Sequence, residues 1–148
     1  MKIKILTLFI LLFTLSISAQ GHKEKRDKIK ALKVSFLTTE LKLTADESAK
    51  FWPIYNTSDQ KQFEIRHGKI KAVLRSIDKA DIDKISEKEA LAYLEQIEDA
   101  EEELLNLRKK LIADLKPVIG PVRVLKLKKA EDDFNRKLLS QYKDRRKN

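Results

Sequence analysis

Apolar residues recur along this chain at intervals of three and four, the mark of helices. From about Lys25 to Lys42, Ile29, Leu32 and Phe36 form one stripe, and Val34, Leu37 and Leu41 form a second beside it. A second helix is predicted to start in the run Leu43-Thr44-Ala45-Asp46-Glu47 and to reach about Ile77. Its buried face is marked by Trp52, Tyr55, Phe63, Ile70, Val73, Leu74 and Ile77, with Asp59, Gln62 and Arg66 interrupting it midway. After a polar connection from Asp78 to Ile85, the residues Leu91, Leu94, Ile97, Leu104, Leu105, Leu111, Ile112 and Leu115 trace a near-heptad stripe. That period implies helix–helix packing of the coiled-coil type. A last helix carries Val124, Leu127, Ala130, Phe134 and Leu138.

Capping and breaking residues place the ends of these helices. Thr44 reads as an N-cap whose partner is Glu47, three residues on, and Ser86 with Glu89 repeats the same capping box. Pro53 lies beyond the first turn of the second helix, where it removes a backbone donor and clashes with the carbonyl of Ala49, so a kink is expected there. Pro117, Gly120 and Pro121 end the third helix and start the fourth, with Gly120 suited to a left-handed position and Pro121 to a first helical one. The expected fold is all-α: four long helices in an elongated, thin hairpin or cradle, with the second kinked at Pro53. A thick single core is not available to such helices, so a homodimer is expected to supply further burial.

The first residues change the picture from a cytoplasmic helical domain to an exported one. Lys2 and Lys4 precede a short apolar run from Ile5 to Leu15, and Ser16-Ile17-Ser18-Ala19 supplies small residues for cleavage. This is the layout of a signal peptide, 1–19, and the run is too short for an ordinary membrane-spanning helix. The mature chain, 20–148, is expected to be one helical domain. There is no cysteine, which removes both disulfides and lipid attachment through a lipobox thiol, so the protein is read as periplasmic and not a lipoprotein.

The formal charge of +9 falls to +7 once Lys2 and Lys4 are removed. Basicity of this kind often marks nucleic-acid binding, but an exported protein does not meet the genome, and acidic or unfolded polypeptides are the better partners. The charge is also segregated. Asp78 to Glu103 holds eleven acids and three bases, whereas Arg108 to Asn148 holds fourteen bases and five acids. Lys61 to Arg75 adds five bases against the single acid Glu64.

These pieces resemble a known family. Leu43-Thr44-Ala45-Asp46-Glu47 looks like the LTxxQ motif of the periplasmic Spy/CpxP proteins, with Glu in place of Gln. Ile119-Gly120-Pro121-Val122-Arg123 stands where that family carries its second copy, with Gly120 for the capping Thr and Arg123 for the Gln. The run Lys50-Phe51-Trp52-Pro53-Ile54-Tyr55-Asn56 is similar to Bacteroidetes proteins labelled sensors of an ECF-type sigma factor. The resemblance implies a four-helix cradle that dimerises in antiparallel fashion. Its relatives act as ATP-independent chaperones, as inhibitors of envelope stress kinases or as metal sensors.

Catalysis has no support in the sequence. Without cysteine, and with only His22 and His67, no nucleophile–base set can be assembled, and no glycine-rich phosphate loop is present. No cofactor is expected. Glu64-x-x-His67 puts two potential ligands one helical turn apart, but a bundle metal site needs a second such pair, so no metal is assigned there. If Gln20 is the mature N-terminus, His22 becomes its third residue, the position that completes a square-planar Cu(II) or Ni(II) site with the free amine and two amides. Two features offer binding surfaces. The aromatic cluster Phe51, Trp52 and Tyr55 is either core or a patch for a client, and Arg66, Lys69 and Lys71 belong to a basic face that attracts acidic chains. The function expected is therefore an envelope-stress protein that binds polypeptide. It is read as a holdase for unfolded or partly folded envelope proteins. The alternative is a sensor or regulator that binds one membrane-bound signalling partner, of an ECF sigma/anti-sigma or kinase pathway.

Overall fold

The computed structural model describes Glu24 and residues 26–145, which are helical almost throughout and contain no strand. The signal segment 1–19, the cleavage junction and His22 lie outside the described residues. The chain divides into two compact units, Leu43–Lys126 and the flanking segments up to Lys42 and from Leu127 onward.

In the flanking unit, α1 covers 26–41 and ends where Lys42 takes a left-handed conformation (φ 50°), its amide donating to the Thr39 carbonyl at 3.2 Å. Leu37 and Leu41 are buried, whereas Leu32, placed by its spacing in the first stripe, is 56% exposed. Phe36 packs against Phe134 with ring centroids 5.7 Å apart, and the Lys137 ammonium sits 4.7 Å from the Phe36 centroid. Leu127, Ala130 and Phe134 are buried as their spacing predicts.

The larger unit begins with α2, Ala45–Glu64, which passes through Pro53. The Thr57 hydroxyl donates to the Pro53 carbonyl at 2.8 Å. A π-helical turn, Ile65–Ile70, follows, then α3, Lys71–Lys79, and a 3-10 turn, Ile82–Lys84. The π-turn explains the register of the buried face. Phe51, Tyr55, Ser58 and Ile65 are buried with Gln62 half-buried, in steps of four, three, four and three. The next step, from Ile65 to Ile70, is five, and Val73 and Ile77 then resume three and four. A π-turn absorbs one extra residue per turn, so these side chains stay on one face. The face read from the apolar residues alone was therefore partly displaced: Phe63 is 37% and Leu74 47% exposed.

The last helical stretch, α4, covers Glu87–Arg145 and contains the two helices expected, joined directly at a single non-helical residue. No loop intervenes because one residue makes the break. Gly120 has φ 78° and ψ 157°, and helix resumes at once from Pro121, which has no amide hydrogen to place. Within α4 the buried and half-buried positions Ala90, Tyr93, Ile97, Ala100, Leu104, Leu107 and Leu111 alternate by three and four without a slip. Ile65, Ala100 and Leu104 form a buried cluster, with Ile70 and Leu107 packed against it. The small Ala100 belongs to this seam, whereas Leu91, Leu94, Leu105 and Ile112 lie beside it and are 42–57% exposed.

Both capping boxes are formed. The Glu47 amide donates to Thr44 Oγ1 at 3.2 Å and the Thr44 amide to Glu47 Oε2 at 3.1 Å. At α4 the Glu89 amide donates to Ser86 Oγ at 3.3 Å, and the Ser86 amide and hydroxyl donate to Glu89 Oε2 at 3.0 and 2.8 Å. These bonds from Ser86 hold the Glu89 carboxyl below its ordinary range. Thr44→Ala should lower stability by about 1 kcal/mol through loss of the cap. Chemical denaturation tests this, and an unchanged midpoint would exclude Thr44 as a working cap.

Candidate functional site

The two motif-like runs meet. Glu47, the last residue of Leu43–Glu47, closes the cap of α2 and also receives a two-pronged contact from Arg123, the last residue of Ile119–Arg123. Arg123 Nη1 donates to Glu47 Oε2 at 2.7 Å, and Nη2 donates to Oε1. The third nitrogen, Nε, donates to the Ile119 carbonyl at 2.8 Å. One guanidinium thus ties the backbone just before the Gly120 break to the start of α2. Planar, bidentate pairing of this kind is what Arg offers and Lys does not. The Arg123 side chain is 33% and the Glu47 side chain 22% exposed, so water screens the pair only in part. The hydrogen bond from Arg123, followed by that from the Thr44 amide, draws the Glu47 carboxyl down to about 2. The same pairing raises Arg123 above the usual arginine value.

The aromatic run after the first motif is largely interior. Phe51 and Tyr55 stack at 5.4 Å with planes 12° apart, and Trp52 stands edge-on to both, at 4.9 and 5.6 Å. Phe51 is fully buried and Tyr55 is 3% exposed, so neither offers surface to a client, and only the half-buried Trp52 retains any. The cause is their place at steps of four and three on the face that α2 buries.

The basic candidates lie on the π-turn and just after it. Arg66 and Lys71 are exposed. Lys69 is exposed too, but its ammonium is paired with Glu103 of α4. Glu64 and His67 do not form a ligand pair: Glu64 accepts from Gln60 at 2.6 Å, and His67 packs on the Phe63 ring at 4.2 Å. Among the described residues no group of three His, Asp or Glu could hold a metal ion. Nor is any helix among them long and apolar enough to cross a membrane.

A groove of about 480 Å³ runs between α2 with its π-turn and α4. Ile65 and Leu107 line its apolar floor, and Lys61, Glu64 and Lys69 on one edge face Glu103, Asn106 and Lys110 on the other. Lys61, Ile65, Leu107 and Lys110 are not among the candidates marked by motif or stripe in the sequence. Lys61, Ile65 and Lys69 stand four residues apart, the spacing that puts side chains on one side of a helix, and that spacing was the available signal.

No family model matches the chain, and no curated protein or solved structure matches it.

Proposed function

We propose that this chain is an exported, periplasmic stress protein that holds unfolded or partly folded polypeptide without ATP. The observation that carries the reading is the exposure of large apolar side chains interleaved with charge in the Leu43–Lys126 unit. Phe63, Leu74, Leu91, Leu94, Leu105 and Ile112 are each between 37% and 57% exposed. Arg66 and Lys71 stand exposed among them on the π-turn side, and Glu98, Glu101 and Arg108 on the α4 side. Such a surface attracts chains electrostatically and holds them by modest apolar contacts, which suits loose binding of many clients.

The meeting of the two motif-like runs also supports the resemblance to Spy/CpxP proteins. Both runs depart from that family's pattern at their last residue, the second at Gly120 as well, and the two last-residue departures are opposite in charge and paired.

The test is aggregation of two unrelated unfolding substrates with protein from Gln20 onward, at low and high salt. Suppression of both, weaker at high salt, is the expected result. Arg66→Glu with Lys71→Glu should reduce suppression severalfold while the helical circular dichroism stays unchanged. Lys69 is left in place because its reversal would set it against Glu103. No suppression of either substrate would remove the holdase reading and favour a dedicated regulator, to be sought by cross-linking to one membrane partner.

A further inference from the structure

We infer that a second copy of this chain docks on the exposed stripe of α4, antiparallel to the first and related to it by a two-fold axis beside Glu103. Leu94, Glu98, Glu101, Leu105, Arg108 and Ile112 follow one another at steps of four, three, four, three and four, the heptad of a coiled-coil seam, and all six are exposed. Each directly follows a residue of the buried seam, so the stripe lies about 100° round the helix from it. α4 therefore carries two coiled-coil faces, one packed within the chain and one without a partner among the described residues. A second copy there covers Leu94, Leu105 and Ile112 and leaves Phe63, Leu74, Arg66 and Lys71 to a client, so the inference does not rest on the holdase reading.

Charge selects the occupant. On the groove side of α4, Glu103 is paired with Lys69 and Lys110 with Asp114. On the stripe, Glu98, Glu101 and Arg108 make no ion pair among the described residues. An antiparallel partner fits the stripe only in registers one heptad apart. In the register centred on Glu103, Glu98 faces Arg108 of the second copy and Leu94 faces its Ile112, and the two-fold axis repeats both layers. Leu105 and Glu101 face each other beside the axis. Moving the partner by one heptad sets Glu98 against Glu101 in one direction and Arg108 against Leu105 in the other. A parallel partner in register sets every charge against its own copy. The charge on either side of the axis agrees: residues 87–102 hold seven acids and one base, and residues 104–119 hold four bases and one acid. The two-fold axis thus lays an acidic half on a basic half over roughly 24 Å at each end.

Sedimentation velocity of the protein from Gln20 onward, at about 1 to 100 μM, tests this. The protein should pass from monomer to dimer across that range, and less completely at high salt. Glu98→Arg alone, or Arg108→Glu alone, sets like charges together in both symmetric layers and should weaken association about tenfold. Both positions are exposed, so helical circular dichroism should not change. An equal mixture of the two variants should associate as the unaltered protein does, because the first chain then presents two arginines to the two glutamates of the second. A protein that stays monomeric throughout overturns the inference, as does a dimer indifferent to both reversals. A mixture that associates no better than its components overturns it too, by excluding the antiparallel register. So does a monomer whose suppression of aggregation is lost in Leu94→Glu, since client polypeptide would then be the occupant. The aggregation assay reports on the holdase separately: a protein that dimerises as described but suppresses neither substrate keeps this interface and sinks the holdase.

Discussion

Gly120→Ala should destabilise the protein by about 1–3 kcal/mol, whereas Gly68→Ala should stabilise it by about 0.5–1 kcal/mol. The two substitutions add the same methyl group into similar surroundings, for a Cβ at either position would meet nothing within 4 Å. Their opposite signs come from the backbone. Gly120 adopts φ 78° and ψ 157°, a region essentially closed to any residue with a side chain. It cannot relax into the helix without cost, because Pro121 disfavours a helical conformation in the residue before it. Gly68 lies in the middle of the π-turn, where glycine loses more freedom on folding than alanine does. Denaturation midpoints of the two variants check the contrast. A neutral Gly120→Ala would mean that the break in α4 is not set at this residue, and a destabilised Gly68→Ala would mean that the π-turn needs glycine for its own geometry.

The parts of this fold that could be read from sequence are those fixed by local chemistry. The capping boxes at Thr44–Glu47 and Ser86–Glu89 depend on residues three apart and form as read. The break at Gly120 depends on a glycine next to a proline, and it falls there. The packed register was less legible because it depends on which of two adjacent stripes faces a partner helix. On α4 the leucines at 91, 94 and 105 are more apolar than Ala90, Tyr93 and Ala100, yet these three join Ile97, Leu104, Leu107 and Leu111 in the seam while the leucines stay exposed. On α2 the aromatic run was ambiguous between core and surface until the steps of four and three through Phe51, Tyr55, Ser58 and Ile65 placed it inside. The groove was not legible because its two edges come from helices distant in sequence, while the π-turn concealed that Ile65 and Ile70 share the buried face.

The same division explains why the motif pair was only half visible. Glu47 and Arg123 can each be seen in the sequence as the last residue of a motif-like run, but their contact joins α2 to α4. Opposite charges at the last residues of both runs are the kind of signal that points to such a contact, because neither charge is comfortable in a partly shielded place without the other.

Arg123→Glu should therefore lower stability at neutral pH by more than any other single surface change in the Leu43–Lys126 unit, and Glu47→Arg in the same chain should restore part of the loss. The restoration will be incomplete, because an arginine at 47 cannot accept the Thr44 amide bond that completes the capping box. Recovery in the double variant isolates the pair itself, since two independent effects would add instead. Acid titration gives a second readout. The folded-state pKa of Glu47 is depressed to about 2 from the ordinary glutamate value of 4.5. Between those values the unfolded chain binds the proton that the folded chain refuses, so stability rises with pH across that window. The contribution is complete above about pH 4.5 and is lost as pH falls through about 2. Arg123→Ala removes the larger cause of the depression and leaves the Thr44 bond, so the slope of stability against pH between about 2 and 4.5 should flatten without disappearing. A slope unchanged in Arg123→Ala would show that the guanidinium does not hold Glu47 in solution. The tie between the Gly120 break and the cap of α2 would then have to be abandoned, and with it the support that the paired departures lend to the family resemblance.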